Sequence, residues 1–483
     1  MRKGLAAIVG PECVIDDPAA LSSYESDNSF APRRAPWAVV RPGSDGEIQE
    51  IVAWANETRT PLVPASSGPP HFYGDTVPSA TGAVIVDLTG MKKIRRIDRR
   101  NRIVVLEPGV TYPELQAALA GEGMRVMQPL LPRANKSVVG SLLERQPTLM
   151  PRYNFQLPEP LRSCGVVWGD GRTMFTGEAG AGPESLEDQW RVGLVQADAK
   201  GPAQTDFHRL LTGAQGTMGI VTWAAVRCHL TPAARKLLLA YASELGDLLD
   251  FTYRILRLRL GDEVLLLDRA YLARLAAAQG SPVAPSELPG WTLILGLGGR
   301  EHYAAERVQI AEDDGRALAS QCGIAITTAL PGLPTGVVRD ALDGCCDEPW
   351  KLAAKGDTID IFFHSTLEKA VGYVATGREI AASLGFEAGD LGAYLQPQHQ
   401  GVSCQVELSL PYDPTDCGET ARARQLHDLA AERLITAGAY FDRPYGSWAW
   451  PVYNRDAASR DALRKVKRIF DPKGVMNPGK LCF

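Results

Sequence analysis

Residues 61–78 read Pro-Leu-Val-Pro-Ala-Ser-Ser-Gly-Pro-Pro-His-Phe-Tyr-Gly-Asp-Thr-Val-Pro, shortly ahead of the strand-like run Ala83-Val84-Ile85-Val86-Asp87-Leu88. A loop of Gly, Ser and Pro between two strands can turn several backbone N–H groups toward one point. Such a nest holds a pyrophosphate without a mobile cation. Gly68 and Gly74 permit positive φ and let a ligand approach the backbone closely. The competing reading is a surface turn stiffened by proline, and the loop alone does not separate the two.

Upstream, Trp37-Ala38-Val39-Val40-Arg41-Pro42 reads as a short strand stopped by proline. Ser44-Asp45-Gly46-Glu47 then opens a helix capped by Ser44 or Asp45, with an apolar stripe of Ile48, Ile51, Val52 and Trp54. Downstream, residues 102–109 give another strand and turn, and a helix runs from Thr111 to about Leu119. Residues 164–173 form a hairpin across Gly169-Asp170-Gly171. Strands and helices alternating at this spacing predict α+β or α/β architecture. Residues 146–160 read as an ordered loop and 179–205 as a long surface excursion. Residues 210–222 carry three glycines ahead of a strand, so that backbone can lie against a flat ligand. Composition shifts near Pro232, where a domain boundary is expected. Residues 233–437 mix strands with long helices. A helix over about 456–470 leads into Asp471-Pro472-Lys473-Gly474-Val475-Met476-Asn477-Pro478-Gly479-Lys480-Leu481, turns dense enough to be pinned rather than frayed.

The chain has 483 residues, 45% hydrophobic and 22% charged, which fits a globular protein of two or three domains. A net charge of −5 argues against nucleic acid or an anionic membrane as the main partner. No apolar run approaches the roughly 20 residues that span a bilayer. The N-terminal apolar patch is too short for a signal peptide, so a cytoplasmic location is expected. The nine cysteines form no C-x-x-C and the seven histidines no H-x-H or H-E-x-x-H. Reduced thiols and no metal centre are expected.

Four segments in fixed order, 61–88, 102–115, 210–222 and 465–481, together resemble the FAD-linked oxidase superfamily of the vanillyl-alcohol oxidase and p-cresol methylhydroxylase type. The resemblance extends to the FAD subunits of D-lactate and glycolate dehydrogenases. The matching runs include Gly82-Ala83-Val84-Ile85-Val86-Asp87-Leu88, Gly213-Ala214-Gln215-Gly216-Thr217-Met218-Gly219 and Asp471-Pro472-Lys473-Gly474-Val475-Met476-Asn477-Pro478-Gly479-Lys480. The resemblance implies an α+β protein that binds FAD. A two-subdomain FAD-binding domain would span 1–232 and an α/β cap 233–437, with 438–483 packing back on the FAD domain. It implies Ser66, Ser67, Gly68 and His71 at the pyrophosphate. Ser137, Val139, Gly140 and Ser141 would form the second flavin loop, Gly219 and Ile220 would lie against the cofactor, and Asn477 and Lys480 would close the site from the tail. The chain departs from the pattern at Pro69-Pro70-His71, where relatives prefer glycine. Prolines donate no N–H, which shifts phosphate binding toward Ser66, Ser67 and His71. The metal-binding histidines of many D-lactate and glycolate dehydrogenases are also missing, and Gln396-Pro397-Gln398-His399 stands in their place.

Oxidation of an alcohol at a flavin needs a base for the O–H proton and a C–H bond aimed at the flavin. A phenolic substrate also needs cationic or hydroxyl anchors for its oxygen. Residues 439–448 offer Tyr440, Arg443 and Tyr445 as anchors, against the reading of a packed aromatic corner. His399 is the candidate base, Glu407 the reserve, and His71 a candidate for a covalent flavin link. The expected activity is FAD-dependent oxidation of a small phenolic or alcoholic substrate. The alternatives are an FAD subunit of a 2-hydroxy-acid dehydrogenase complex that passes electrons to a protein partner, and a non-catalytic flavin-domain protein. A homo-oligomer is compatible with the family.

Overall fold

The computed structural model describes residues 2–151, 160–181, 185–193, 205–387 and 389–483. Most of the loop read at 146–160 and parts of the excursion read at 179–205 lie outside the described residues.

Three sheets organise the chain. The first contains β1 (Val14–Ile15), β2 (Ala38–Val40), β3 (Leu62–Ala65) and β4 (Val84–Asp87) in the order β1-β2-β4-β3. β2, β4 and β3 run parallel, and β2 and β4 are buried along their whole length, as parallel strands covered on both faces must be. The helix Asp45–Thr58 covers one face with Ile48, Ile51 and Val52. Ser44 caps it by accepting from Glu47 N at 3.2 Å, as the sequence indicates.

The second sheet contains β5 (Ile94–Asp98), β6 (Ile103–Leu106), β7 (Met124–Val126), β8 (Leu161–Trp168), β9 (Thr173–Phe175) and β10 (Gly219–Leu230). Its order is β5-β6-β10-β8-β9, with β7 pairing the far end of β10. The hairpin read from residues 164–173 is β8 and β9. The excursion expected at 179–205 contains a helix, Leu186–Val192, capped by Ser185. Its Leu186 packs with Ile103 and Trp223 on the sheet. Seven residues carry too few turns for a readable apolar period, so the sequence did not reveal this element.

The third sheet is antiparallel: β11 (Ala234–Ala242), β12 (Glu263–Asp268), β13 (Trp291–Gly299), β14 (Ala325–Thr327), β15 (Asp357–Ser365), β16 (Gly392–Gln398) and β17 (Ser403–Tyr412). The order is β14-β11-β13-β12-β16-β17-β15. Leu238, Leu266, Leu293 and Leu408 bury one face beneath long helices, among them Leu367–Ser383 and Cys417–Ala437. Leu239, Leu265, Leu267 and Ile294, alternating with that set, bury the other face.

The tail turns back. After the helix Ala457–Phe470, the buried Asp471 carboxylate accepts from Val475 N and Met476 N at 3.0 and 2.9 Å. Lys467 Nζ meets Asp471 at 2.5 Å and Met476 O at 2.9 Å. Leu62 N donates to Val475 O and Asn477 N to Leu62 O, both at 2.8 Å. The C-terminal turns thus run beside β3 and reach the loop at 61–78.

Candidate functional site

A cleft lies where three chain segments meet. These are the loop leaving β3, the stretch 136–146 with its short helix Val138–Leu143, and the residues entering β10. In the first loop, Gly68 N donates to Asn135 O at 3.1 Å and Gly74 N to Asp27 at 2.6 Å. Among the described residues, the amides of Ser67, Phe72 and Tyr73 donate to no protein group. Ser66 and His71 line the cleft beside them. The His71 Nε2 atom is buried without a hydrogen-bond partner. Burial pushes this imidazole down to about 3, with Arg133 and Lys136 adding to the effect, so it stays neutral. Lys136 is buried and meets both Glu144 oxygens at 2.5 and 2.6 Å. Burial raises the Asp75 carboxyl to about 7, with the Glu144 charge adding.

Two glycines define the cleft walls. A Cβ on Gly140 would lie 2.7 Å from Ser66 Oγ. Gly216 has φ +68° and its Cβ would lie 2.5 Å from Pro64. Free amides, a free hydroxyl and a neutral imidazole suit a pyrophosphate, and glycine-lined walls suit a flat ring system. The cleft therefore fits FAD.

A second cavity shares Phe72, Tyr73, Arg133, Lys136 and Gln146 with this cleft. Its floor is the third sheet. Lys351 Nζ bridges Asp360 at 2.7 Å and Glu407 at 2.5 Å, and the Tyr271 hydroxyl donates to Glu407 at 2.8 Å. Burial raises the Glu407 pKa, opposed by Lys351. Burial works against the Lys351 charge, but Asp360 and Glu407 hold its pKa above the usual lysine value. Arg443 also lines this cavity. It is 3% exposed and lies 4.1 Å over the Phe362 ring. Its nearest carboxylate oxygen is Asp442 Oδ1 at 3.8 Å, and its Nε has no hydrogen-bond acceptor. Asp442 in turn meets His364 at 3.2 Å. Tyr73 stacks on Tyr445 at 4.7 Å, and among the described residues no hydrogen bond engages either hydroxyl.

The structure brings together part of the expected set. Ser66, Ser67, His71, Gly140, Gly219, Ile220 and Tyr445 line the cleft, and Arg443 and Glu407 line the second cavity. Others serve the scaffold. Ser137 caps the short helix by accepting from Gly140 N at 2.8 Å, Val139 lies in the core, and Ser141 bonds Tyr112 at 3.0 Å. Gly68 donates its N–H to Asn135 O and its carbonyl accepts from Arg133, which ties the loop to the segment before the short helix. Asn477 braces the cleft from behind through Asp75 O and Gln215 O, and Lys480 through Gly74 O and Val77 O. Two expectations need correction. Tyr440 is 66% exposed and lines neither cavity, because its backbone is spent on bridging His364 at the end of β15. His399 sits after β16 at φ +46° and lines neither cavity, whereas Glu407, the reserve candidate, lines the second. Sequence reading missed Tyr73, Lys351, Asp360 and Tyr271. They come from a loop, a helix, a turn and a strand that meet around Glu407, so no local signal joins them.

Among the described residues, no group of three or more His, Cys, Asp or Glu is arranged to hold a metal, and no helix is long and apolar enough to cross a membrane.

Comparison with known proteins agrees with the geometry. Residues 36–149 match the FAD binding domain and residues 447–481 match the FAD linked oxidases C-terminal domain. The chain is 24% identical to glycolate oxidase subunit GlcD of Bacillus subtilis, covering 100% of this chain and 96% of that protein. It is 24% identical to D-2-hydroxyglutarate dehydrogenase of Stutzerimonas stutzeri, covering 99% and 97%. Its fold matches p-cresol methylhydroxylase at a TM-score of 0.84 with 18% identity, covering 100% and 96%. It also matches 4-ethylphenol oxidase from Gulosibacter chungangensis at 0.81 with 19% identity, covering 99% and 96%. The chain is an FAD-dependent oxidoreductase with the FAD-binding and C-terminal segments of the FAD-linked oxidases, built on the fold of p-cresol methylhydroxylase.

Proposed function

We propose that the protein oxidises a phenolic substrate whose oxygen is held as an anion by Arg443. The observation that carries this reading is the guanidinium itself: buried, its Nε without a hydrogen-bond acceptor and its nearest carboxylate 3.8 Å away, and beside the hydroxyls of Tyr73 and Tyr445. A buried cation without a hydrogen-bonded counter-charge is costly, and an oxyanion seated there offsets the cost. Phe362, Tyr271, Tyr394 and Trp350 wall or floor the same region, which favours an aromatic ring over a short hydroxy acid. Bound FAD supplies the two-electron acceptor for the substrate C–H bond. Glu407, ionised and aimed by Lys351 and Tyr271, takes the proton from the hydroxyl or water that becomes the product oxygen. In this reading residues 1–232 hold the cofactor, 233–437 supply the floor of the substrate cavity, and 438–483 contribute Arg443 and Tyr445 before bracing the cleft.

A second reading, oxidation of a 2-hydroxy acid with electrons passed to a protein partner, is favoured by the full-length likeness to the glycolate oxidase subunit. Arg443 would then hold a carboxylate. Anaerobic bleaching of the flavin band by a panel of alkylphenols and D-2-hydroxy acids separates the two. Bleaching by hydroxy acids alone overturns the phenol reading.

A further inference from the structure

We propose that the vestibule beyond Tyr73 is a subsite for a second aromatic ring, so the preferred substrate class is a phenol bearing an aryl group on its side chain. This rests on the phenol reading above and extends it.

The vestibule is the roomiest of the three adjoining spaces. Its wall includes Phe72, Tyr73, Thr358 and Asp360, all of which also line the substrate cavity. The two spaces therefore adjoin at the Tyr73 ring. That ring is held by Tyr445 at 4.7 Å and by the edge of Phe362 at 5.4 Å.

The vestibule presents the chemistry of aromatic recognition. Trp448 stacks on His427 at 4.5 Å, and Phe30 meets His427 edge-on at 5.5 Å. Trp450 also lines the vestibule, yet it is 74% exposed and, among the described residues, packs against no other ring. A tryptophan left this open forgoes the burial its large apolar surface normally seeks. A second ring reaching from the substrate cavity would cover it. Arg424 lies 5.7 Å from the Phe30 ring and makes no ion pair among the described residues. It provides a donor for hydroxyl or methoxy groups on that ring.

The test compares 4-ethylphenol with 4-(2-phenylethyl)phenol, which share the reacting carbon and differ by one ring. Their dissociation constants come from the concentration dependence of anaerobic flavin reduction in the FAD-loaded protein, wild type, Trp450→Ala and Arg424→Ala. Both positions are exposed, so folding is not at stake. The wild type is expected to bind the two-ring phenol about tenfold tighter, and Trp450→Ala to erase most of that preference, as an aromatic contact of ordinary strength implies. Quenching of tryptophan emission by the two-ring phenol, measured without turnover, is expected to shrink in Trp450→Ala. Equal affinity of the two phenols in the wild type, or a preference untouched by Trp450→Ala, overturns the subsite while leaving the phenol reading standing. If neither phenol reduces the flavin and a hydroxy acid does, the phenol reading itself fails, and the subsite with it.

Discussion

Replacing Arg443 by leucine removes the cation that the account assigns to the substrate oxygen and keeps a side chain able to cover Phe362. Arg443 is 3% exposed, so its interaction with an oxyanion is poorly screened. One charge-assisted hydrogen bond contributes about 1.5–3 kcal/mol, and a buried charge pair at a ligand interface about 2–5 kcal/mol. A loss near 3 kcal/mol corresponds to a weakening on the order of 150-fold. Asp442 keeps its Oδ2 contact with His364 at 3.2 Å after the substitution. Stopped-flow reduction of the FAD-loaded variant by an alkylphenol without oxygen gives the dissociation constant and limiting rate separately. The expected result is full FAD content, a thermal midpoint close to wild type, and reduction weakened by about two orders of magnitude. Arg443→Lys should recover only part, because an ammonium lacks the fork of donors. Reduction within about threefold of wild type would refute the assignment, since that corresponds to less than about 1 kcal/mol.

Three further outcomes follow from the same geometry. Glu407 acts as base only when ionised and burial raises its pKa, so reduction should fall as pH drops through that raised value. Lys351→Met removes the opposing charge and should move this acid limb to higher pH, while Glu407→Gln should abolish the limb; an unmoved pH–rate profile counts against both roles. Gly140→Val and Gly216→Val should lower the flavin-to-protein absorbance ratio of the purified protein, because the added atoms meet Ser66 Oγ and Pro64 within 2.7 Å; unchanged FAD content would argue against the cleft. His229 in β10 is held at about 3 by burial, with Arg300 adding, against about 6.5 when unfolded. The unfolded chain therefore binds the extra proton between those values, stability is lost as pH falls through that window, and His229→Gln should flatten the loss in urea midpoints taken at about pH 4.5 and about pH 7.

The cofactor half of the protein was legible in the sequence because its signals are local. A capped helix, short strands and glycines at turns each declare themselves within a dozen residues, and the four segments kept their order. The substrate half was less legible. Glu407 and Lys351 are 56 positions apart and Tyr271 and Glu407 are 136 apart, and only the packing of a helix and a turn against the strand that carries Glu407 brings them together. Tyr440 and Arg443 share one short segment, yet the turn between them sends the first to solvent and the second inward. His399 looked like a base by its chemistry, but the strand end that carries it does not reach either cavity. Ser137 and Ser141 read as ligand contacts and turned out to be a helix cap and a core hydrogen bond, a distinction that composition does not encode.

The central claim is that a flavin in the glycine-walled cleft takes electrons from a phenol anchored by Arg443. Anaerobic titration of the FAD-loaded protein with 4-ethylphenol and, separately, with D-2-hydroxyglutarate tests it most directly. The account predicts that the phenol bleaches the visible flavin band to completion and the hydroxy acid leaves it intact. Bleaching by the hydroxy acid alone, or by neither compound, would contradict it.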